Sequence, residues 1–549
     1  MKKYTLIMII ILMVLIPLKL NAVTPFSDVP AEHWATAYIE DMRRLGITSG
    51  MGDGSFGMGR QITRAEFITM LLNLTRPGER LESAGFQDVE AGAWFHSTVN
   101  TAKALGFTDM AGDSFRPHEP ITREEMAVMI INSLGYEQLA LRLNVLGPPF
   151  TDVSRNMGII TIARDLNIIA GISPSEFGPS LSATREQAAA MMMRMYNLKD
   201  RPLTDIHGYY AIAAFNQAHM LADMTAVSFG WGLLEIDGSR VLFNTGAEGD
   251  NEFRIPQGYE IPWNMADHAE RLLMIAVRES DSPVIINNPD LREQALSVIA
   301  ETMHYGLETP SGGRLHFDGV SLNFEALRGA QTRDNYTAFV RALRERIGNH
   351  SLYLTVQPPR RAGHVYFDGY DFRALGAEAD RIILMAHDYN ARVLTEAEMA
   401  AGVVMTALAP LDEVYFALRA LTNPETGVAD LSRIMLQINF ATAQWKTVDG
   451  AVINPRPFTP SYEAIAARIR DGAELRFDES LYSPFITFFD SSDNTNNIVW
   501  LEDARSVKEK IRLAGLFGVQ GVSLWRLGIV PDFSDIEKLR VFEVIADSL

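Results

Sequence analysis

Between residues 24 and 197 one side-chain pattern returns three times, and a repeat of this kind must be settled before the rest of the chain is given a fold. Phe26, Asp28 and Val29 recur as Phe86, Asp88 and Val89, and again as Phe150, Asp152 and Val153. Each copy continues into a helical-looking segment that ends in Leu45-Gly46-Ile47, Leu105-Gly106-Phe107 or Leu166-Asn167-Ile168. Each closes on a Thr-Arg pair: Thr63-Arg64, Thr122-Arg123 and Thr184-Arg185. The three threonines stand where an N-cap belongs, each ahead of an apolar-rich helix. Arg64, Arg123 and Arg185 then lie near helix N-termini, a place that favours anions, and a planar guanidinium suits the carboxylate of an acidic sugar or ketal. The alternative is that they pair with neighbouring glutamates on a solvated face, where an ion pair is worth about 0–1 kcal/mol. Gly52, Gly54 and Gly57 have the spacing of a dinucleotide loop but follow a helical segment, so they read as a repeat turn.

The tripled pattern resembles the S-layer homology module. The resemblance implies a mostly α-helical pseudo-trimer that anchors a protein to anionic secondary cell-wall polysaccharide, with Arg64, Arg123, Arg185, Trp34 and Trp94 as polymer-binding residues. The third copy has Gly158-Ile159-Ile160 where the first two carry tryptophan. Repeats are expected at 24–83, 84–147 and 148–197, with a linker at 198–205. Ahead of them, Lys2, Lys3 and the apolar run Leu6–Leu18 predict a signal peptide over 1–22; a retained anchor is the other reading. An exported, cell-wall location follows, with no membrane partner once the peptide is removed. The absence of cysteine rules out disulfides and thiol chemistry, and a net charge of −19 argues against nucleic acid. No cofactor or metal is expected; the polar Asp490–Asn494 turn misses the spacing of a calcium loop.

From residue 206 to 549 apolar strands alternate with helical stretches, the pattern of a parallel α/β barrel. Eight strands are predicted, at 207–213, 225–230, 271–277, 317–325, 352–357, 381–387, 433–440 and 521–525, with an additional hairpin pairing 485–489 with 498–501. In the fourth strand Ser321, Asn323 and Glu325 share one face, and Val320, Leu322 and Phe324 the other. Glu325 comes last in the polar row, at the end of the strand where such barrels keep their chemistry.

This strand resembles the Asp-x-x-Asp-x-Asp-x-Glu signature of glycoside hydrolase family 18, the chitinase and spore-cortex hydrolase type. Asp318 and Glu325 match its ends, while Ser321 and Asn323 replace the two inner aspartates. Gly208-Tyr209-Tyr210 resembles the family's first strand, and Gly521–Trp525 its eighth, whose tryptophan floors the sugar site. Met385–Tyr389 resembles the sixth, with His387 in place of tyrosine, and Trp500–Ser506 resembles the spore-hydrolase branch. The resemblance implies a (β/α)8 TIM barrel cleaving β-1,4 bonds beside N-acetylglucosamine by substrate-assisted retention, in peptidoglycan or a chitin-like glycan. It assigns catalysis to Glu325 as general acid, with Asn323 and Asp318, and substrate binding to Tyr209, Phe229, Met385, His387, Asp388, Tyr389, Gln437 and Trp525. With Asn323 and Ser321 in place of carboxylates, activity is expected to be impaired, and a non-catalytic wall-bound lectin or surface-layer protein is the rival. Trp231, Trp263 and Trp445 either line loops over the cleft or pack inside.

Overall fold

The computed structural model describes residues 26–82, 85–108, 112–246, 252–359 and 368–549; the expected signal peptide lies outside them. No helix among the described residues is long and apolar enough to cross a membrane. The chain divides into two compact units, one holding residues through Leu134 together with Phe177–Tyr196, the other Gly135–Glu176 together with Asn197–Leu549.

In the first unit the Thr-Arg segments form a closed ring. Ile121 N–H donates to the Ile62 carbonyl (3.0 Å), Ile62 N–H to Ala183 (3.2 Å) and Ala183 N–H to Ile121 (3.0 Å). Each segment therefore satisfies its neighbour's backbone, and the threefold sequence repeat becomes a threefold hydrogen-bond cycle. Helices Arg64–Thr75 and Arg123–Ser133 open on full capping boxes, Thr63 with Glu66 and Thr122 with Glu125. In the third copy Gln187 takes the glutamate's place and accepts from Thr184 N–H at 3.1 Å.

The second unit is built on eight parallel strands: β1 (Asp205–Tyr210), β2 (Ala226–Asp237), β3 (Glu270–Val277), β4 (Gly319–Asn323), β5 (Ser351–Val356), β6 (Arg381–Leu384), β7 (Ile434–Asn439) and β8 (Gly521–Trp525). They pair in sequence order, and β1 pairs with both β2 and β8, so the barrel closes. All eight predicted strands are present, with boundaries displaced by a few residues. The predicted hairpin is real but belongs to a five-stranded antiparallel sheet inserted after β7, in which Ser483–Asp490 pairs with Thr495–Trp500. Trp445 and Trp500 are fully buried in the core of this insertion, their indole N–H groups donating to Thr406 Oγ1 (2.9 Å) and the Val404 carbonyl (2.7 Å). Trp445 is therefore a packing residue, and so is Trp231, buried against Phe229 with ring centroids 4.5 Å apart.

Residues 135–176, assigned from sequence to the second and third repeats, group with the barrel. Arg142 pairs with the buried Asp412 at 2.8 Å, and Asp165 meets Arg419 (2.7 Å) and the Tyr415 hydroxyl (2.7 Å). A pair buried on both sides lies at the start of the helix Ala504–Leu516: Lys510 Nζ is 2.7 Å from Glu502 Oε2, and Ser506 Oγ donates to the same oxygen at 2.6 Å. Removing one member leaves an uncompensated charge in a dry site. Lys510→Ala is therefore expected to lower unfolding free energy by about 3–5 kcal/mol, read from denaturant melts of the full chain.

Candidate functional site

The inward faces of the strands stack in layers. In the lower layer His207 Nδ1 meets Ser523 Oγ at 2.8 Å and Nε2 meets Ser228 Oγ at 2.7 Å. Burial pushes that imidazole down to about 3, so it is a neutral core group. Because Ser228 points inward, Phe229 points outward, into an aromatic cluster with Tyr210, Trp231 and Trp263. Phe229 is buried there and does not face the sugar site assigned to it.

One layer higher Tyr209 OH lies 3.2 Å from Ser321 Oγ, and its ring meets Trp525 edge-on with centroids 4.9 Å apart. Asn323 stands above Ser321 and is 8% exposed. Its Oδ1 accepts from Thr355 Oγ1 at 2.6 Å, which leaves Nδ2 to donate to Glu325 Oε1 at 2.9 Å. Glu325 follows the end of β4, and the next residue, Ala326, has φ +59° with its N–H donating to Gln357 Oε1 at 2.8 Å. A left-handed alanine is a strained turn held by its surroundings, and here it aims the carboxyl that precedes it.

Across the mouth Asp388 is also left-handed, at φ +60°. Its Oδ1 accepts from Asn439 Nδ2 at 2.8 Å and its Oδ2 lies 3.3 Å from His387 Nδ1. His387 Nε2 donates to Gln437 Oε1 at 2.7 Å, so the Gln437 Nε2 group is a buried donor with no partner among the described residues.

These surroundings separate the two carboxyl groups. Burial pushes Glu325 above the usual carboxylate range, helped by Glu279 and opposed by the Asn323 amide and His387. Burial acts the same way on Asp388, but His387 outweighs it and holds that group below its usual value. His387 is raised in turn: burial alone would lower it, and the Asp388 charge prevails. A proton-holding acid and an ionised partner at one mouth form the division of labour that acid-base catalysis needs.

Asp318 is elsewhere. It precedes β4, seven residues from Glu325 or roughly 23 Å of extended chain, and accepts from Arg271 N–H at 2.8 Å. It is a structural residue at the opposite end of the barrel. Met385 is buried immediately after the end of β6, and Tyr389 follows Asp388 with its N–H on the Leu408 carbonyl at 2.8 Å. Thr355 and Asn439 escaped sequence reading, although each lies on the inward row of its strand, two residues beyond Tyr353 and Gln437.

In the first unit the arginines are already engaged. Arg64 is buried, with Glu125 at 2.8 Å and Glu119 at 3.0 Å. Arg185 is buried near Thr48 (3.2 Å) and Glu66 (3.7 Å), and Arg123 Nε donates to the Phe177 carbonyl at 2.9 Å. The glutamate-pairing alternative therefore describes Arg64, though inside the fold and not on a solvated face. Trp34 and Trp94, by contrast, are 54% and 66% exposed.

Residues 285–529, which carry β4 to β8, match the model of glycosyl hydrolases family 18, and residues 25–68, 85–127 and 149–189 match the S-layer homology domain. The chain joins three S-layer homology repeats to a family 18 domain. The family 18 match begins after β3, so the first three strands complete its barrel by pairing alone. Over 252 residues the chain is 25% identical to the cortical fragment-lytic enzyme of Bacillus subtilis, covering 45% of this chain and 52% of that protein. Over 175 residues it is 31% identical to an amylopullulanase of Thermoanaerobacterium thermosulfurigenes, 30% of this chain and 9% of the other. The chain thus spans about half or less of the length of these two relatives. A chitinase structure from Chromobacterium violaceum aligns over 63% of this chain and 98% of its own, at 19% identity and a TM-score of 0.48.

Proposed function

We propose that this protein is a cell-wall-held glycosidase that cleaves β-1,4 bonds next to N-acetylglucosamine, with Glu325 as general acid and the substrate's own acetamide as nucleophile. One observation carries the proposal: Glu325 is largely buried at the C-terminal mouth of the barrel, raised in pKa, and aimed by a strained turn beside the Tyr209–Trp525 aromatic pair. Aromatic faces take up the C–H surface of a sugar, and a protonated carboxyl supplies the leaving oxygen with its proton. Peptidoglycan is the preferred polymer because S-layer homology repeats hold the barrel at the wall; a chitin-like glycan is the alternative. The test is release of reducing ends by the full chain from purified peptidoglycan and from a fluorogenic chitooligosaccharide. Binding to both with cleavage of neither would sink the proposal.

That outcome would leave a wall-bound lectin, a reading favoured by one feature. Asn323 carries no charge and its carbonyl is committed to Thr355, so it offers nothing to a cationic oxazolinium intermediate.

The repeats are proposed to hold an anionic wall polysaccharide through the two exposed tryptophans, since the arginines are engaged within the fold. Replacing Trp34 and Trp94 together by alanine is expected to cut sedimentation with wall sacculi at least tenfold, each lost stacking contact being worth about 1 kcal/mol. Undiminished pelleting would remove the tryptophans from the binding face.

A further inference from the structure

A cavity of about 330 Å³ opens beside the aromatic pair, lined by Tyr209, Met274, Trp525, Glu252, Arg254 and Arg526 among others. It lies at the small end of the range for ligand sites, about 300–1,000 Å³, and shares Tyr209 and Trp525 with the proposed hexosamine site. Its walls are mostly apolar, and its charged members are two arginines and one glutamate.

Arg526 is the informative member. It is only partly exposed, its Nη1 is sealed from solvent, and that nitrogen has no hydrogen-bond partner among the described residues. Other arginines near the strand ends are matched: Arg278 lies 2.5 Å from Glu235, and Arg392 lies 3.9 Å from Glu279. In a chain of net charge −19 a shortage of carboxylates does not explain the difference. Leaving a buried guanidinium N–H without an acceptor is unfavourable, and an anion in the cavity would supply that acceptor.

We propose that this cavity holds the sugar next to the one on Trp525, and that Arg526 selects a sugar carrying a carboxylate substituent, such as the lactyl ether of a muramic unit. The proposal rests on the glycan-binding part of the reading above and does not require that a bond be broken. A planar guanidinium takes a carboxylate through two parallel hydrogen bonds, and a neutral hydroxyl cannot replace that charge-assisted contact. A polymer alternating neutral and carboxylated hexosamines would then enter in one register only, with a neutral acetamido sugar beneath Glu325.

Binding is measured by calorimetry on the full chain carrying Glu325→Gln, so that no turnover intervenes. The probes are chitotetraose, a tetrasaccharide alternating N-acetylglucosamine with N-acetylmuramic acid, and the same tetrasaccharide with its carboxyls reduced to alcohols. The carboxylated form is expected to bind about 10- to 100-fold more tightly than the reduced form. Adding Arg526→Gln should erase that ratio while chitotetraose changes less than about twofold, and Arg526→Lys should restore part of it. Equal affinity for the carboxylated and reduced probes overturns the proposal on the unaltered cavity, whatever the stability of the variants. So does a ratio that survives Arg526→Gln, or a uniform loss across all probes. A preserved carboxylate preference in a parent protein without hydrolysis would support the cavity and reject the hydrolase. Hydrolysis without any preference would do the reverse.

Discussion

Glu325→Gln is expected to lower kcat on a fluorogenic chitooligosaccharide by about 10²–10⁴-fold and to leave oligosaccharide affinity within a few-fold. The amide keeps the size of the carboxyl, and Asn323 Nδ2 still finds an oxygen acceptor once the new side chain turns its carbonyl toward it. What is lost is the proton. The pH profile makes the assignment sharper than the loss of rate. Burial holds the Glu325 carboxyl above its usual range, so its protonated form persists into less acidic solution than an exposed glutamate allows. Activity that depends on it is present below that raised pKa and declines as pH climbs through it. Asp388, held low by His387, stays ionised until pH falls below the ordinary aspartate value, and sets the acidic limb. The parent should thus show a bell, and the residual activity of the glutamine variant should lack its alkaline limb. An unchanged alkaline limb in Glu325→Gln would assign that proton to another group.

The barrel was legible because its signal is local. Alternation along β4 and β7 shows which residues share a face, and eight such runs separated by helical stretches admit few closures. The same logic put Asn323 and Glu325 on one face of β4, and the resemblance to family 18 supplied Tyr209, His387, Asp388, Gln437 and Trp525, each within the later part of its strand or just beyond it. It failed where a motif position was trusted over a strand position. Asp318 matches the signature yet precedes β4, and an aspartate seven residues from Glu325 along an extended chain cannot share its end. Phe229 is aromatic and near the mouth, but its neighbour Ser228 is the side chain bonded to His207, so the pleat turns the phenylalanine outward. The partners of Arg64 were out of reach for another reason. Glu119 and Glu125 come from the next copy of the repeat, and only the closed ring of backbone hydrogen bonds brings them to it. The Arg142–Asp412 pair, which ties residues 135–176 to the barrel's unit, spans too much sequence to leave any local trace.

Asn323→Asp is the second large effect, and its sign is opposite: kcat is expected to rise by about 10²-fold, within the 10²–10³ that one preorganised electrostatic partner is worth. The geometry is ready for a carboxylate. Thr355 Oγ1 already donates to Asn323 Oδ1 and would donate equally to an aspartate oxygen, which keeps the side chain where it is. The other oxygen would replace an N–H donor beside Glu325 with an acceptor. Loss of that donor and gain of a like charge both favour the protonated form of Glu325, so the alkaline limb should move to higher pH along with the increase in rate. The new charge would also face the positive oxazolinium ring, which the neutral amide does nothing to stabilise. Burying a carboxylate at a position only 8% exposed costs stability, and the raised, buried His387 at the same mouth offsets part of that cost. A lower melting temperature with a higher kcat is thus the expected signature. A variant that folds, binds and turns over no faster than the parent would show that the missing charge is not the bottleneck. The next variant to compare would then be at His387, the other departure from the family's sugar site, whose pKa the Asp388 charge holds above its ordinary value against burial.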